Sequence, residues 1–168
     1  MINIFCFGFG QVAQNLIKKL DKEKIKINLS YTSRLPKDSN HIISSKMFNL
    51  NNYVYDTKIL QALQKADFIL VSIPPVNGED IVIKNFLNNF KDLKPKWITY
   101  LSATSVYGDH NGEWVDEKSF TKPTSENGIN RLTAEKEWIS ICTKLNLPIQ
   151  IFRLSGIYSD TSNILKRL

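Results

Sequence analysis

Two patterns of apolar and polar positions follow one another along the whole chain. Residues 2–7 are almost entirely apolar, which is typical of a parallel strand buried on both faces, and residues 11–20 carry apolar side chains at helical spacing. The same patterns predict further elements, the strands at 25–32, 42–48, 68–73, 97–101 and 149–154 and the helices at 57–65, 81–90 and 126–145. This alternation predicts an α/β fold with helices on both faces of a parallel sheet.

The first strand runs directly into Gly8-Phe9-Gly10-Gln11-Val12-Ala13, which opens a helix. In this pattern the first glycine permits a tight turn, the second lets backbone approach a pyrophosphate, and the small last residue lets the helix pack on the strand. The helix N-terminus then presents its N–H groups and positive dipole end to the phosphates. The context predicts a dinucleotide site, contacted by Gly8, Phe9, Gly10, Gln11 and Val12. A tight turn without a ligand is the alternative.

The end of the second strand indicates which dinucleotide fits. An acidic residue there binds the ribose 2′-hydroxyl of NAD, whereas an arginine accommodates the 2′-phosphate of NADP. The strand ends Tyr31-Thr32-Ser33-Arg34, and the next acidic residue is Asp38. Ser33 and Arg34 therefore favour NADP over NAD, with an ordinary surface arginine as the alternative.

Composition fits one cytoplasmic domain spanning residues 1–168. An apolar share of 42% is enough for a full core at this length. No apolar run approaches the roughly 20 residues that cross a bilayer, and the N-terminus lacks a secretory signal pattern. Cys6 and Cys142 lie in apolar stretches, as reduced core thiols do in cytosolic proteins.

The net charge of +6 comes mainly from lysines scattered along the chain. A nucleic-acid interface would instead cluster basic residues among aromatic ones, so no nucleic-acid partner is predicted. Two histidines and the absence of a Cys-x-x-C pair give no support to a metal site. The predicted partners are a dinucleotide cofactor and a small-molecule substrate.

Five stretches in order resemble the extended short-chain dehydrogenase/reductase family, the NAD-dependent epimerases and dehydratases, and in particular its atypical branch. They are the glycine turn, VSIPP at 71–75, SATSVYG at 102–108, GEWVDE at 112–117 and RLSGIY at 153–158. The resemblance covers essentially the whole chain. It implies a three-layer, doubly wound, Rossmann-like parallel sheet of strand order 3-2-1-4-5-6, with the cofactor across the carboxyl ends of the strands. It also implies that the family's substrate lobe is truncated here.

The resemblance implies cofactor contacts beyond the glycine turn and Ser33-Arg34. Near the adenine these are Asn49 and Leu50, although many relatives have an aspartate at the position of Asn49. Near the nicotinamide they are Ile73, Pro74, Pro75, Ser102, Leu154 and Gly156.

The family's catalytic residues are not retained. Relatives use a Tyr-x-x-x-Lys pair as acid and base, beside a Ser or Thr that holds the substrate hydroxyl. Here Asn127 stands at the tyrosine, Arg131 at the lysine, and Ala103 at the Ser/Thr position. Thr104, Tyr107 and Arg131 are the candidates to replace them. A packed structural tyrosine and a helix-surface arginine are the alternatives for the last two.

Two functions follow from this pattern. The first is an atypical NADP-dependent oxidoreductase or sugar-nucleotide-modifying enzyme, and the second is a non-catalytic NADP(H)-binding sensor or regulatory module. Trp114, in the loop 112–117, either covers a substrate as part of a lid or docks at the edge of the core. The resemblance also makes a homodimer through the helices at 57–65 and 126–145 an expectation.

Overall fold

A computed structural model describes residues 1–33, 45–48 and 57–158. Within these ranges six strands form one sheet: β1 Ile2–Phe7, β2 Ile27–Thr32, β3 Ser45–Phe48, β4 Phe68–Val71, β5 Trp97–Ala103 and β6 Ile149–Leu154. The α-helices are α1 Gln11–Lys22, α2 Thr57–Gln64, α3 Ile81–Phe90 and α4 Glu126–Lys144. Every strand pair is parallel and the strand order is 3-2-1-4-5-6, which confirms the predicted fold.

Alternating side chains along each strand divide the core into two halves. Phe5 and Phe7 of β1 pack with buried residues of α2, α3 and α4. Ile4 and Cys6, which point to the opposite face, pack with α1 and with β2. The sheet is therefore the middle of three layers, as predicted. Both cysteines are free and buried, and burial raises the pKa of the Cys6 thiol to about 12.

Among the boundaries that differ from the sequence prediction, three strand ends have identifiable reasons. β2 begins at Ile27 rather than 25, because the chain turns after α1 with Lys24 at φ 57°. β5 extends to Ala103 because β6 continues to pair with it as far as Leu154. β4 ends at Val71, two residues early, because its neighbour β1 leaves the ladder at Gly8, where φ is +85°.

A buried carboxylate joins α3 to α4. Asp80 is 5% exposed and caps α3, since its Oδ1 accepts from the amides of Val82 at 2.9 Å and Ile83 at 3.0 Å. Its Oδ2 accepts from the indole Nε1 of Trp138 in α4 at 2.9 Å. One side chain thereby satisfies three donors that burial removes from water.

A second buried carboxylate joins α4 to β6. Glu135 is 1% exposed and accepts from both Nε and Nη2 of Arg153, the latter at 2.8 Å. The Arg153 guanidinium lies 4.9 Å from the centre of the Tyr107 ring. The hydrogen bonds that Arg153 donates to Glu135 raise the pKa of Arg153 above its usual range, so this side chain stays charged. The ion pair with Glu135 therefore fixes both the position and the positive charge of the Arg153 guanidinium.

Replacing Asp80 with alanine is expected to lower the free energy of unfolding by about 2–4 kcal/mol, because a helix cap is lost and the Trp138 indole N–H loses its partner. Urea denaturation monitored by circular dichroism measures the change. Glu79→Ala is the matched control, since its ion pair with Lys84 is solvent-exposed and contributes less than about 0.5 kcal/mol. Equal losses in both variants would contradict the role given to Asp80.

Candidate functional site

The candidate site lies at the carboxyl ends of the strands, where the strand order reverses between β1 and β4. A crevice at such a point is the usual ligand site of an open parallel sheet. The glycine turn follows β1 and Ile73-Pro74-Pro75 follow β4, and a Cβ placed on Gly8 would lie 3.0 Å from Cγ1 of Ile73. Ser33 follows β2, which is β1's other neighbour. The structure thus brings three of the sequence-predicted segments together.

Side chains from three different elements hold the backbone of the glycine turn. The Gly8 amide donates to Oγ1 of Thr32 at 2.9 Å. The Ser72 hydroxyl lies 3.1 Å from the Phe7 carbonyl oxygen and 3.2 Å from that of Gly8. The Gln14 carboxamide donates to the Phe9 carbonyl at 2.9 Å. The turn is therefore fixed before any ligand arrives.

The two glycines of the turn differ in their surroundings, which are crowded at Gly8 and open at Gly10. Gly8 has φ +85°, and a Cβ there would lie 2.7 Å from the Ser72 hydroxyl oxygen, so both backbone and packing require glycine. Gly10 has extended backbone, and a Cβ there would meet no heavy atom of the described residues within 4 Å. Gly10 is also the N-cap of α1, and no side chain in the described ranges caps it. Open space at a helix N-terminus suits an anionic group.

Phe9 and Val12 have buried or half-buried side chains, unlike Gly10, which borders open space. The Phe9 side chain is 6% exposed and its ring stacks on Tyr31, with centroids 4.2 Å apart. It anchors the turn in the core, so only its backbone is available to a ligand. Val12 and Gln11 are half-buried at the start of α1.

Ser102 marks the β5 side of the crevice. Its side chain is 3% exposed, and its hydroxyl has no hydrogen-bond partner among the described residues. The same holds for the side-chain oxygens of Tyr100 and Ser105 and for Nε of Arg131. Buried polar atoms without partners are uncommon and indicate that another group completes the site. Burial, and then Asp80, raise the pKa of the Tyr100 phenol well above its usual range, so it stays protonated.

Arg131 does not lie on the helix surface. Its Nη1 donates to the carbonyl oxygen of Leu101 in β5 at 2.6 Å, and the side chain is half-buried. The alternative of a surface arginine is therefore wrong. The guanidinium lies under the end of β5, directly beside the segment that carries Ser102.

Thr104 and Tyr107 lie on the turn after β5, but only Thr104 is exposed. Tyr107 is 7% exposed, between the Arg153 guanidinium and the chain around His110. It lines a cavity of about 570 Å³ that Leu154 also reaches, with walls formed by Ile139, Ile149 and Ile151. Gly156 follows β6, close to the ring of Tyr158.

Trp114 is fully exposed on the loop that follows this turn. The alternative in which it docks at the edge of the core is therefore wrong. A lid over a substrate stays a prediction. Three other predicted positions, Arg34, Asn49 and Leu50, lie outside the described residues.

Solved structures with the same fold form a consistent group. A conserved protein of unknown function from Silicibacter pomeroyi matches 100% of this chain and 57% of its own, with a TM-score of 0.81 and 29% identity. UDP-glucuronic acid 4-epimerase from Bacillus cereus, solved with NAD, matches 92% of this chain and 56% of its own, with a TM-score of 0.74 and 22% identity. UDP-N-acetylglucosamine 4-epimerase from the same organism matches 94% of this chain and 55% of its own, with a TM-score of 0.73 and 17% identity.

The chain has the fold of the NAD-dependent epimerases and dehydratases. The resemblance inferred from the motifs is thus confirmed at the level of the fold. The chain spans a little over half the length of these three solved structures.

Other comparisons add little. No protein-family model matches the sequence. A local match to Rop guanine nucleotide exchange factor 10 from Arabidopsis thaliana is 31% identical over 84 residues, which is 49% of this chain and 16% of that protein. The described ranges contain no helix with the length and apolar character needed to span a membrane, and no group of side chains that could hold a metal ion.

Within the epimerase fold, the three altered catalytic positions are placed as follows. Ala103 is the last residue of β5, and Asn127 is exposed in the first turn of α4. Arg131, one turn further on, is bonded to the Leu101 carbonyl. The arrangement holds no phenol and ammonium pair at these positions.

The sequence analysis missed the three side chains that hold the glycine turn, namely Thr32, Ser72 and Gln14. Thr32 is the last residue of β2 and Ser72 follows β4, and both strands pair with β1, so their position beside Gly8 follows once the strand order is known. Gln14 lies in the first helical turns after Gly10, within reach of the turn carbonyls. Polar residues at the ends of the neighbouring strands and in the first helical turns would have indicated that the glycine turn is held by side chains, which the glycines alone do not show.

The same substitution at the two glycines should have different effects on stability. Gly8→Ser is expected to lower the free energy of unfolding by about 2 kcal/mol or more, because a positive φ and a close contact both oppose a side chain. Gly10→Ser should change it by less than about 0.5 kcal/mol, since serine is a good N-cap residue. Chemical denaturation of both variants measures this, and equal losses would show that the space at Gly10 is not open.

Proposed function

We propose that this chain binds a nicotinamide dinucleotide at the glycine turn. Two observations together support the fit: the open space at Gly10 beside the N-terminus of α1, and the buried Ser102 hydroxyl without a partner among the described residues. The first suits a pyrophosphate, and the second lies at the β5 end, where a polar group of the nicotinamide half would supply the missing hydrogen bond.

The proposed cofactor is NADP rather than NAD. β2 ends at Thr32 and the sequence continues with Ser33-Arg34, so no acidic residue directly follows the strand to bind the ribose 2′-hydroxyl of NAD. A serine hydroxyl and an arginine fork are instead suited to a 2′-phosphate. The Bacillus cereus epimerase was solved with NAD, which makes NAD the alternative to test beside NADP.

As a reaction we propose atypical oxidoreductase or sugar-nucleotide chemistry. The bound dinucleotide supplies a hydride acceptor or donor. Thr104 presents an exposed hydroxyl at the end of β5, and Tyr107 lines the adjacent cavity, where we place the substrate. Arg131 holds the β5 backbone and keeps a positive charge beneath the site.

Calorimetric titration with NADP, NADPH, NAD and NADH tests the binding proposal. We expect NADP(H) to bind more tightly than NAD(H). Gly10→Val should abolish binding without unfolding the chain, because the side chain enters open space rather than the core. Arg34→Ala should lower the affinity for NADP about tenfold, the effect of a charged hydrogen bond, and leave that for NAD unchanged.

Binding of none of the four dinucleotides would overturn the proposal and leave the glycines with a purely structural role. Tighter binding of NAD would retain the site but overturn the proposed preference for NADP. Circular dichroism of Gly10→Val provides the control for folding.

A non-catalytic NADP(H)-binding module is the second candidate. The observation that favours it is the inward position of Arg131, which bonds to a main-chain carbonyl at the place where relatives carry the lysine. With Ala103 and Asn127 at the other two positions, this end of the site can hold a ligand but has lost the family's proton-transfer groups.

Hydride exchange separates the two candidates. If the chain is an oxidoreductase, incubation with NADP and UDP-glucuronic acid should produce NADPH absorbance. If it returns the hydride to the sugar, as an epimerase does, the product is an isomeric UDP-sugar that chromatography detects. Thr104→Ala and Tyr107→Phe should each lower the rate at least tenfold. Dinucleotide affinity should stay unchanged in both variants, which is the control. Binding without any turnover over a panel of UDP-sugars would favour the module.

Other expectations from the sequence remain proposals. These are one domain over residues 1–168, a cytoplasmic location, no nucleic-acid partner and a homodimer. For the dimer, α4 offers the half-exposed Ile129, at 48%.

A further inference from the structure

The cavity beside Tyr107 is lined mainly by apolar side chains. One of them comes from α4 and the others from β6, and they are Ile139, Ile149, Ile151, Phe152 and Leu154. The volume of the cavity, about 570 Å³, is in the range usual for pockets that take small molecules. An apolar wall favours an apolar ligand, because contact between them removes both surfaces from water. Size and surface therefore suit a small molecule with a hydrocarbon body.

The charged groups of the cavity do not suit an anion. Arg153 is the one cation among the described residues that line it, and its Nε and Nη2 both donate to Glu135. Glu135 is 1% exposed, so a phosphate that took Arg153 away would leave a buried carboxylate unpaired, which is costly. The remaining charged side chain, Glu117, is a second carboxylate. The two phosphates of a UDP-sugar would therefore meet an excess of negative charge.

The polar lining groups lie together at the carboxyl end of β6. Arg153 binds Glu135 and also lies 4.9 Å from the centre of the Tyr107 ring, so the three side chains form one cluster. Ile149 and Ile151 precede Arg153 along the strand. A ligand with a single hydroxyl or carbonyl oxygen at the polar end, and a hydrocarbon body along the isoleucines, matches this division.

We propose that the ligand of this cavity is an uncharged, mainly apolar alcohol or ketone and not a nucleotide sugar. This inference rests on the proposed function, which makes the cavity a substrate site, and it names the class of that substrate. A UDP-glucuronic acid 4-epimerase from Bacillus cereus was solved with UDP-glucuronic acid and NAD, so UDP-glucuronic acid is the ligand to compare.

Fluorescence titration with prodan, an uncharged naphthyl ketone, tests this on the chain without any dinucleotide. Prodan emission moves to shorter wavelength in apolar surroundings, so we expect a saturable shift that an excess of UDP-glucuronic acid does not reverse. Ile139→Glu places a carboxylate on the apolar wall and should weaken prodan binding about tenfold or more. Ile129→Glu is the matched control, since Ile129 lies on the same helix with the same exposure of 48% but outside the cavity.

Three results would show the inference to be wrong: no saturable shift, displacement of prodan by UDP-glucuronic acid, or equal effects of the two glutamate variants. Turnover of UDP-glucuronic acid in the hydride-exchange assay would also contradict it, while supporting the proposed function. If prodan binds as expected but no dinucleotide does, the proposed function fails and the ligand class of the cavity stands. Should Ile139→Glu not fold, Ile139→Trp fills the cavity without adding a charge, and Ile129→Trp is then its control.

Discussion

The placement of α4 against the sheet depends on a buried polar stripe along one side of the helix. Arg131, Glu135 and Trp138 follow one another at helical spacing, and each is bound by a different element. Their partners are the Leu101 carbonyl in β5, Arg153 in β6 and Asp80 at the start of α3. Because a buried polar group without a partner is costly, the helix has one position in which all three bonds form.

This position has a direct consequence for chemistry. The helix start is packed so closely on the turn after β5 that a Cβ on Gly128 would lie 2.5 Å from the Ser105 carbonyl oxygen. In that arrangement the side chain at position 131 is directed to the end of β5. The site is rigid at both ends of the crevice, at the glycine turn and at α4, which suits holding a ligand. Proton transfer requires groups that these positions lack.

Much of the fold could be predicted because it follows from local patterns. The apolar runs and helical spacings located every strand and helix, and the bounds of β1, α3 and β6 agree with the structure. The strand order came only from the family resemblance, since periodicity carries no information about neighbours. The direction of Arg131, the exposure of Trp114 and the bond between Thr32 and Gly8 depend on elements far apart in sequence, so no local pattern predicts them.

The contrast between the two glycines of the turn bears on how related sequences should diverge. Gly8 is required by the chain's own backbone and by Ser72, whatever the protein binds. Gly10 is required only if something must come close to it. A related sequence that lacks the proposed dinucleotide site is free to acquire a side chain at position 10 while keeping glycine at position 8. Glycine at position 8 therefore indicates selection for the fold, and glycine at position 10 indicates selection for a ligand.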